Sequence, residues 1–324
     1  MTALDDLSQI AVDLIRAVDR VAAGDFRTWA FERLQRVVAF DSALWMHSAL
    51  IEDVLVTRDI YLYRQPAKLM EDYARWNTTD VLLEVIYCNP GRCILWHDLV
   101  DLKAQRKTRM YREYQSKYGL EEAASIMIPF GRSGLQFVMS LYRSDPDKPF
   151  SEGERERVQA IAPLLLEAEN RVLMRDVRLR LGLGADAETA AVVTATGQLV
   201  TADMGFIEHM ERCWPTWQPP RLPEAMRAIL TRGGRKQQVS NGLKVSRHRH
   251  QDGFVVAVRP VSPLDTLSTR EREVADRIVL GLPYKRIASE LGISPKTVSN
   301  HLRNVNAKLG AQSRADLLKI VGRG

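Results

Sequence analysis

The chain has 324 residues, 45% of them apolar, with a formal net charge of +6 and three cysteines. This length favours two or three domains. Its apolar runs fall far short of the ~18 residues that a membrane-spanning helix needs, and the N-terminus lacks the pattern of a signal peptide. The cysteines are few and odd in number, which argues against a disulfide framework and fits a reducing cytosol. We therefore expect a cytoplasmic protein without a membrane partner.

The first half of the chain alternates between helical and strand-like periods. Apolar residues recur at helical spacing over residues 4–22, and Gly24 and Asp25 separate this helix from a second one. Strands are predicted at residues 42–48, 54–63, 124–130 and 135–142. An aromatic-rich helical segment lies between the second and third strands. This order predicts an antiparallel sheet flanked by helices.

A long helix and a smaller unit follow. Ser151 and Glu154 form a capping box, and the helix that they open runs to Gly182. A helix of roughly 30 residues is ~45 Å long, so it either pairs in part with a second subunit or packs within its own domain. Residues 190–262 form an α+β unit with turns at Thr196–Gly197, Asn241–Gly242 and Asp252–Gly253. Pro260 and Pro263 then mark a linker.

The C-terminal segment holds the whole charge surplus. Residues 266–324 contain eleven Lys and Arg against five Asp and Glu, a surplus equal to that of the entire chain. The remaining residues are therefore balanced in charge. A neutral body with a basic terminal module indicates a polyanionic partner at one end.

Four short helices are predicted in this basic segment. Ser268 and Glu271 form a second capping box. Helix two, at about residues 284–291, is followed by Gly292 as the turn residue, and Ser294–Pro295 begins helix three with a cap and an N1 proline. This arrangement is a helix–turn–helix.

Helix three, residues 295–309, has an apolar side and a polar side. Its apolar residues recur at helical spacing and are expected to face the core: Val298, Leu302, Val305 and Leu309. The opposite side combines cations, amides and hydroxyls, the groups that read base edges in a major groove. The base-reading candidates are Ser299, Asn300 and Arg303. The candidates for holding phosphates are Lys296, Thr297 and Lys308.

The module resembles the LuxR-type DNA-binding domain. The residues that carry the resemblance are Leu267–Val274, Gly281, Ile287–Ala288, Leu291–Ser294, Thr297–Val298, His301–Leu302, Lys308–Gly310 and Ser313–Arg314. The resemblance implies that the third helix enters the major groove of double-stranded DNA and that the fourth often dimerises. The chain differs from the family pattern at Ser299, where the family commonly has a basic residue. The resemblance therefore does not indicate which DNA sequence is bound. The alternative is a basic helical bundle that binds protein.

The N-terminal part resembles sensory domains. Val37–Trp45, the two late strands and Tyr142–Ser151 look like a GAF-type domain, and residues 190–262 look like a reduced PAS-type domain. These resemblances imply a small-molecule pocket. The run that contains Tyr73, Trp76, Asp80 and Trp96 is loosely similar to the autoinducer-binding domains of LuxR-type regulators, although Val81 replaces their proline.

Aromatic walls with one carboxylate suit an amphiphilic ligand. The candidate pocket residues are Trp45, Tyr73, Trp76, Asp80 and Trp96. In the alternative interpretation the tryptophans are core residues with satisfied N–H groups. No catalytic set, metal-ligand cluster or cofactor motif is recognisable, so we expect neither an enzyme nor a bound cofactor.

The predicted fold class is α+β, with GAF-like and PAS-like sheets flanked by helices and then an all-α four-helix LuxR-type helix–turn–helix domain. The predicted domains are residues 1–184 (GAF-like, with the long helix), 185–262 (PAS-like) and 263–324 (helix–turn–helix). The predicted function is a homodimeric DNA-binding transcriptional regulator whose sensory N-terminal region controls the C-terminal helix–turn–helix, with a small molecule as a possible ligand. The alternative is a ligand-free DNA-binding adaptor whose body docks a partner protein.

Overall fold

A computed structural model describes residues 3–51, 54–76, 80–182, 189–231, 237–250 and 252–321. The chain divides into two units. Unit 1 comprises residues 1–236 and 246–257, and unit 2 comprises residues 237–245 and 258–324. The division into three domains stays a prediction, and its boundary between residues 184 and 185 lies outside the described residues.

In the described part of the chain, ten strands form two five-stranded sheets. The strands are β1 (Ser42–Ile51), β2 (Val54–Tyr63), β3 (Ile94–Leu95), β4 (Glu122–Pro129), β5 (Leu135–Arg143), β6 (Thr189–Thr194), β7 (Leu199–Ala202), β8 (Gln237–Ser240), β9 (Leu243–His250) and β10 (Gly253–Pro260). The first sheet has the order β2-β1-β5-β4-β3, and its neighbouring strands are antiparallel. The second has the order β7-β6-β10-β9-β8. The predicted α+β class is confirmed.

Helices precede, separate and follow the strands. They are α1 (Ala3–Arg20), α2 (Phe26–Leu34), α3 (Lys68–Tyr73), α4 (Val81–Cys88), α5 (Trp96–Leu99), α6 (Leu102–Gln105), α7 (Glu152–Leu181), α8 (Met204–Cys213), α9 (Glu224–Thr231), α10 (Thr269–Val279), α11 (Tyr284–Leu291), α12 (Pro295–Leu309) and α13 (Arg314–Val321). The described residues also include a π-helical turn at 111–115 and 3-10 turns at 116–118 and 263–266. Among the described helices, none is long and apolar enough to cross a membrane.

Both faces of the first sheet carry apolar side chains. Consecutive side chains of a strand point to opposite faces, so neighbouring residues of β1 enter different clusters. On β1, Leu44 and Met46 join a cluster with Ile86 of α4, whereas Trp45 packs against Phe26 and Phe31 of α2. The first face is therefore covered by the helices that follow β2. The second face is covered by α2 and by α7, which also packs along α1.

The long helix α7 has the predicted ends. The Ser151 hydroxyl accepts the Glu154 N–H, the Glu154 carboxylate accepts the Ser151 N–H, and Gly182 ends the helix in the left-handed region at φ +63°. The capping box is thus confirmed, and the helix is 30 residues long. Its pairing with a second subunit stays a prediction.

Unit 2 contains the four predicted C-terminal helices around one core. The buried residues of this core come from all four helices and from the connection between α12 and α13: Val274, Ala275, Ile278, Ile287, Ala288, Val298, Val305, Ala311 and Leu317. Gly292 makes the turn between α11 and α12 at φ +66°, a conformation that favours glycine because it has no Cβ. The helix–turn–helix is confirmed.

A short bonded segment precedes α10. In the 3-10 turn at residues 263–266, Leu264 is buried and the turn lies against α12. The Asp265 carboxylate accepts hydrogen bonds from Arg259 Nη1 at 2.7 Å, Lys244 Nζ at 3.0 Å and the Ser262 N–H at 2.8 Å. The guanidinium of Arg259, followed by these other donors, holds the pKa of Asp265 well below its usual range. The segment predicted as a linker is therefore a turn that these hydrogen bonds hold in place.

Candidate nucleic-acid interface and ligand cavity

Helix α12 is fixed at both ends. Pro295 occupies the first turn, and the Ser294 hydroxyl accepts the Thr297 N–H at 3.1 Å. Gly310 ends the helix at φ +65°. Val298 and Val305 are fully buried, and Leu302 and Leu309 are partly buried against the same core. The predicted apolar face is confirmed.

The opposite side of α12 is a polar surface. Lys296, Ser299, Asn300, Arg303 and Asn304 are all exposed on it. Arg303 Nη2 lies 3.4 Å from Asn300 Oδ1, so the guanidinium and the carboxamide are neighbours one turn apart. In the part of the chain that the structure describes, neither Lys296 nor Arg303 forms an ion pair. Both cations therefore remain free for a polyanion.

Thr297 differs from its exposed neighbours. It is half-buried, and its hydroxyl lies 2.8 Å from the Ser294 hydroxyl at the start of the helix. The side chain thus contributes to the helix cap. Its contact with a phosphate stays a prediction.

Lys308 lies at the other end of α12 and is engaged within the module. Its Nζ is 2.6 Å from the Oε2 atom of Glu271, a buried residue in the first turn of α10. The hydrogen bond from Lys308, together with the Ser268 N–H, lowers the pKa of Glu271 to about 2. The ion pair ties the end of α12 to the start of α10. A phosphate contact of Lys308 stays a prediction and would have to share this cation with Glu271.

A cavity of about 90 Å³, the first cavity, lies in unit 1 between the first sheet and helices α3, α4 and α5. Its walls are mainly aliphatic, with Leu44, Met46 and Val138 on the sheet side. Tyr73, Asp80 and Trp96 line it, so the structure brings three of the five predicted pocket residues together.

Two predicted pocket residues lie elsewhere. Trp76 does not line the cavity but packs against Leu69, Tyr114 and Leu120, which do line it. The structure corrects the prediction that Trp45 lines the cavity. Trp45 is fully buried on the opposite face of the sheet, where its Nε1 donates to Glu169 Oε2 at 3.0 Å. Alternation along β1 is the cause, because the flanking Leu44 and Met46 face the cavity. For Trp45, the alternative of a core tryptophan with a satisfied N–H holds.

Asp80 has a structural role beside the cavity. Its Oδ1 accepts the N–H groups of Leu82 and Leu83 and so caps α4, while its Oδ2 accepts the Tyr73 hydroxyl at 2.7 Å. Burial, followed by the charge of Asp80, raises the pKa of Tyr73 far above its usual range. The phenol therefore stays protonated and donates to Asp80.

Further lining residues were not predicted from the sequence, and three of them carry hydroxyl groups. These three are Tyr114 on the π-helical turn, and Ser140 and Tyr142 on β5. Ser140 and Tyr142 share a face with Val138 because they follow it at intervals of two along β5. Burial raises the pKa of Tyr142 to about 12, which keeps it neutral. The alternation of the predicted strand could have revealed both β5 residues, whereas Tyr114 carried no comparable signal.

Residues 265–321 match the model of the bacterial regulatory proteins, luxR family. The chain is 51% identical over 57 residues to the transcriptional regulatory protein FixJ of Rhizobium meliloti (strain 1021), which covers 18% of this chain and 28% of FixJ. It is 32% identical over 99 residues to the probable HTH-type transcriptional regulator GfsR of Streptomyces halstedii, which covers 31% of this chain and 40% of GfsR. The solved structure of Escherichia coli SdiA aligns over 96% of this chain and 95% of SdiA, with 13% identity and a TM-score of 0.39.

The family model covers the C-terminal module. The chain spans less than half the length of either curated relative, 28% of FixJ and 40% of GfsR. Residues 265–321 are a LuxR-type helix–turn–helix domain, as the family model and the four helices agree. The GAF-like and PAS-like assignments of the N-terminal part stay predictions.

Proposed function

We propose that this chain is a DNA-binding transcriptional regulator whose helix α12 reads bases in the major groove. The observation that carries the proposal is the placement of Asn300 and Arg303, which are exposed opposite the buried Val298 and Val305. A guanidinium donates two hydrogen bonds to guanine O6 and N7, and a carboxamide pairs with adenine N6 and N7. Ser299, on the same surface, is the third proposed base contact.

Phosphate contacts would orient α12 in the groove. Lys296 is exposed and unpaired in the first turn, where the helix dipole also favours an anion. The basic module supplies the long-range attraction. Binding should therefore weaken steeply with salt, because each neutralised phosphate releases a counterion.

The first cavity is the proposed sensory site. A volume of about 90 Å³ has room for roughly six to nine water-sized groups. Because the Tyr73 hydroxyl donates to Asp80, this pair offers a ligand only oxygen lone pairs. The fitting molecule is thus apolar over most of its surface and brings an N–H or O–H donor. A body that binds no ligand and docks a partner protein is the alternative.

The proposed working form is a cytoplasmic homodimer on a DNA site of two-fold symmetry. In such a complex the two recognition helices lie about one helical turn of DNA apart. A ligand that favours one arrangement of the sensory parts would change their spacing, within the limit of its differential affinity for the two states. We propose no catalytic activity.

The DNA proposal is tested with the full chain. A preferred duplex is first selected from a random pool, and dissociation constants are then measured on it and on unrelated duplexes. Arg303→Ala should cost about 1–3 kcal/mol on the selected duplex, about 5- to 140-fold in Kd, and should relax selectivity at one position. Arg270→Ala removes the same charge from α10, where Arg270 is paired with Glu273, and serves as the control.

Two outcomes would contradict parts of this proposal. An equal loss on every duplex would reduce Arg303 to a phosphate contact. Absence of any salt-sensitive affinity for duplexes would overturn the function itself.

Native mass spectrometry of the purified chain distinguishes the sensor from the adaptor. A retained small molecule supports the sensor, and a ligand-free spectrum favours the adaptor.

A further inference from the structure

A second cavity lies in unit 1 on the other face of the first sheet. Its volume is about 700 Å³, within the usual range of ~300–1,000 Å³ for small-molecule sites. Strands β1, β2 and β5, helix α7 and strands β6 and β7 of the second sheet contribute to its lining. It shares no lining residue with the first cavity.

A β-bulge directs an arginine into this second cavity. His47 pairs with Asp59 and Ser48 pairs with Thr57, so Arg58 is the extra residue between them. Consecutive residues of a regular strand point to opposite faces, yet Arg58 and Asp59 both line the cavity. The bulge explains this, because an inserted residue re-aims the side chains beside it.

Among the arginines of this lining, Arg58 is the one without an acidic partner in the part of the chain that the structure describes. Arg27 pairs with Asp59 at 2.5 Å and with Glu169 at 2.6 Å, and Arg180 pairs with Asp176 at 2.9 Å. Arg58 Nη2 instead donates to the neutral Gln198 Oε1 at 2.5 Å, and Arg58 Nε is buried and has no hydrogen-bond partner among the described residues.

The charge of Arg58 favours the binding of an anion. Burial lowers the pKa of Arg58, but a guanidinium remains charged in proteins. A partly buried cation without a counter-charge is costly, and a bound anion would offset that cost. The lining has three arginines and three carboxylates, but the carboxylates of Asp59, Glu169 and Asp176 are bonded to Arg27 or Arg180. Arg58 is therefore the arginine of this lining at which a bound anion would find a partner. A planar carboxylate also fits the fork of a guanidinium.

The rest of the lining defines the body of the ligand. Phe130, Leu135 and Phe137 of the β4–β5 hairpin form an apolar wall, and Leu166 and Val177 of α7 extend it. Next to this wall, the Oε1 atom of Gln136 is buried and has no donor. We propose that the second cavity binds a small organic monocarboxylate with an apolar body, anchored by Arg58. This site does not depend on the proposed DNA-binding function.

The test compares acids with their neutral amides on the full chain. Phenylacetate and octanoate are titrated by calorimetry against phenylacetamide and octanamide, which keep the same apolar bodies. At least one acid should bind saturably at millimolar concentration or below, about tenfold tighter than its amide, or ~1.4 kcal/mol. No saturable binding of either acid, or equal affinities of acid and amide, would overturn the proposal.

Variants locate the bound acid. Arg58→Gln should remove the preference for the acid over the amide, whereas Arg36→Gln, an exposed arginine of the α2–β1 connection, should keep it. Val200→Trp fills the second cavity from a position that is 45% exposed, so it should weaken acid and amide alike without disturbing a core. Melting temperatures verify folding. Acid binding that persists in both cavity variants would refute the assignment.

Discussion

The carboxylate of Glu169 holds the second face of the first sheet to α7. It is 3% exposed and accepts hydrogen bonds from Arg27 Nε at 2.6 Å, Trp45 Nε1 at 3.0 Å and His47 Nε2 at 2.7 Å. Although burial raises the pKa of Glu169, the charges and hydrogen bonds of His47 and Arg27 outweigh burial and leave it below its usual range. Replacing this anion therefore leaves the buried Trp45 and the partly buried Arg27 and His47 with a poorer acceptor.

Glu169→Gln keeps the shape of the side chain and removes its charge. Removing one partner of a buried ion pair typically costs ~3–5 kcal/mol, and we expect a loss in that range. Since 1 kcal/mol corresponds to about 2–4 °C in Tm for a unit of this size, Tm should fall by roughly 6–20 °C. Chemical unfolding followed by tryptophan fluorescence reports the change, because Trp45 is itself a donor to this carboxylate.

A matched control lies two residues earlier on the same helix. Glu167 is 42% exposed and pairs with Arg171 one turn away, so Glu167→Gln should cost no more than ~0.5 kcal/mol. Arg27→Met, alone and combined with Glu169→Gln, completes a cycle in which the double variant loses less than the sum of the single losses. Equal, small losses for Glu169→Gln and Glu167→Gln would refute this account of the buried network.

Three further predictions concern unit 2. Lys296→Ala should weaken binding to all duplexes alike and reduce the salt-dependence slope by about one, and an unchanged slope would exclude a phosphate contact. Because the pKa of Glu271 is lowered to about 2, its stabilisation is present above the unfolded value of about 4.3 and is lost as pH falls through the folded value. Hydrogen exchange of α10 and α12 in the full chain should thus accelerate between about pH 4 and 2, and Lys308→Gln should flatten that dependence. Gly292→Ala forces a Cβ into the left-handed region at φ +66° and should destabilise the module by ~1 kcal/mol, and unchanged exchange in α11 would contradict this.

The C-terminal module was predictable because its signals are local. Capping residues, an N1 proline and turn glycines act within one helical turn, and Ser268, Ser294 and Gly292 have the structural roles that their positions indicated. The apolar spacing of α12 likewise fixed which side faces the core. The ion pair between Lys308 and Glu271 was not predictable, since it joins residues 37 positions apart in the sequence.

The ligand cavity was predictable only in part because it depends on long-range packing. Alternation indicates that Trp45 opposes Leu44 and Met46, but the covering helices decide which side encloses a cavity. The bulge is equally hidden: nothing in residues 54–63 indicates that Arg58 and Asp59 share a face. Helix α8 was also missed, although its buried Phe206, Ile207 and Met210 recur at helical spacing.

The turn before α10 shows why proline does not by itself indicate flexibility. Pro260 and Pro263 interrupt regular backbone hydrogen bonding. Such an interruption occurs both in a linker and in a turn that side-chain hydrogen bonds hold in place. The difference comes from Asp265, whose carboxylate joins Lys244 of β9 and Arg259 of β10 to the turn that lies against α12. Within unit 2, a displacement of these strand ends would therefore move the turn that packs against the proposed recognition helix.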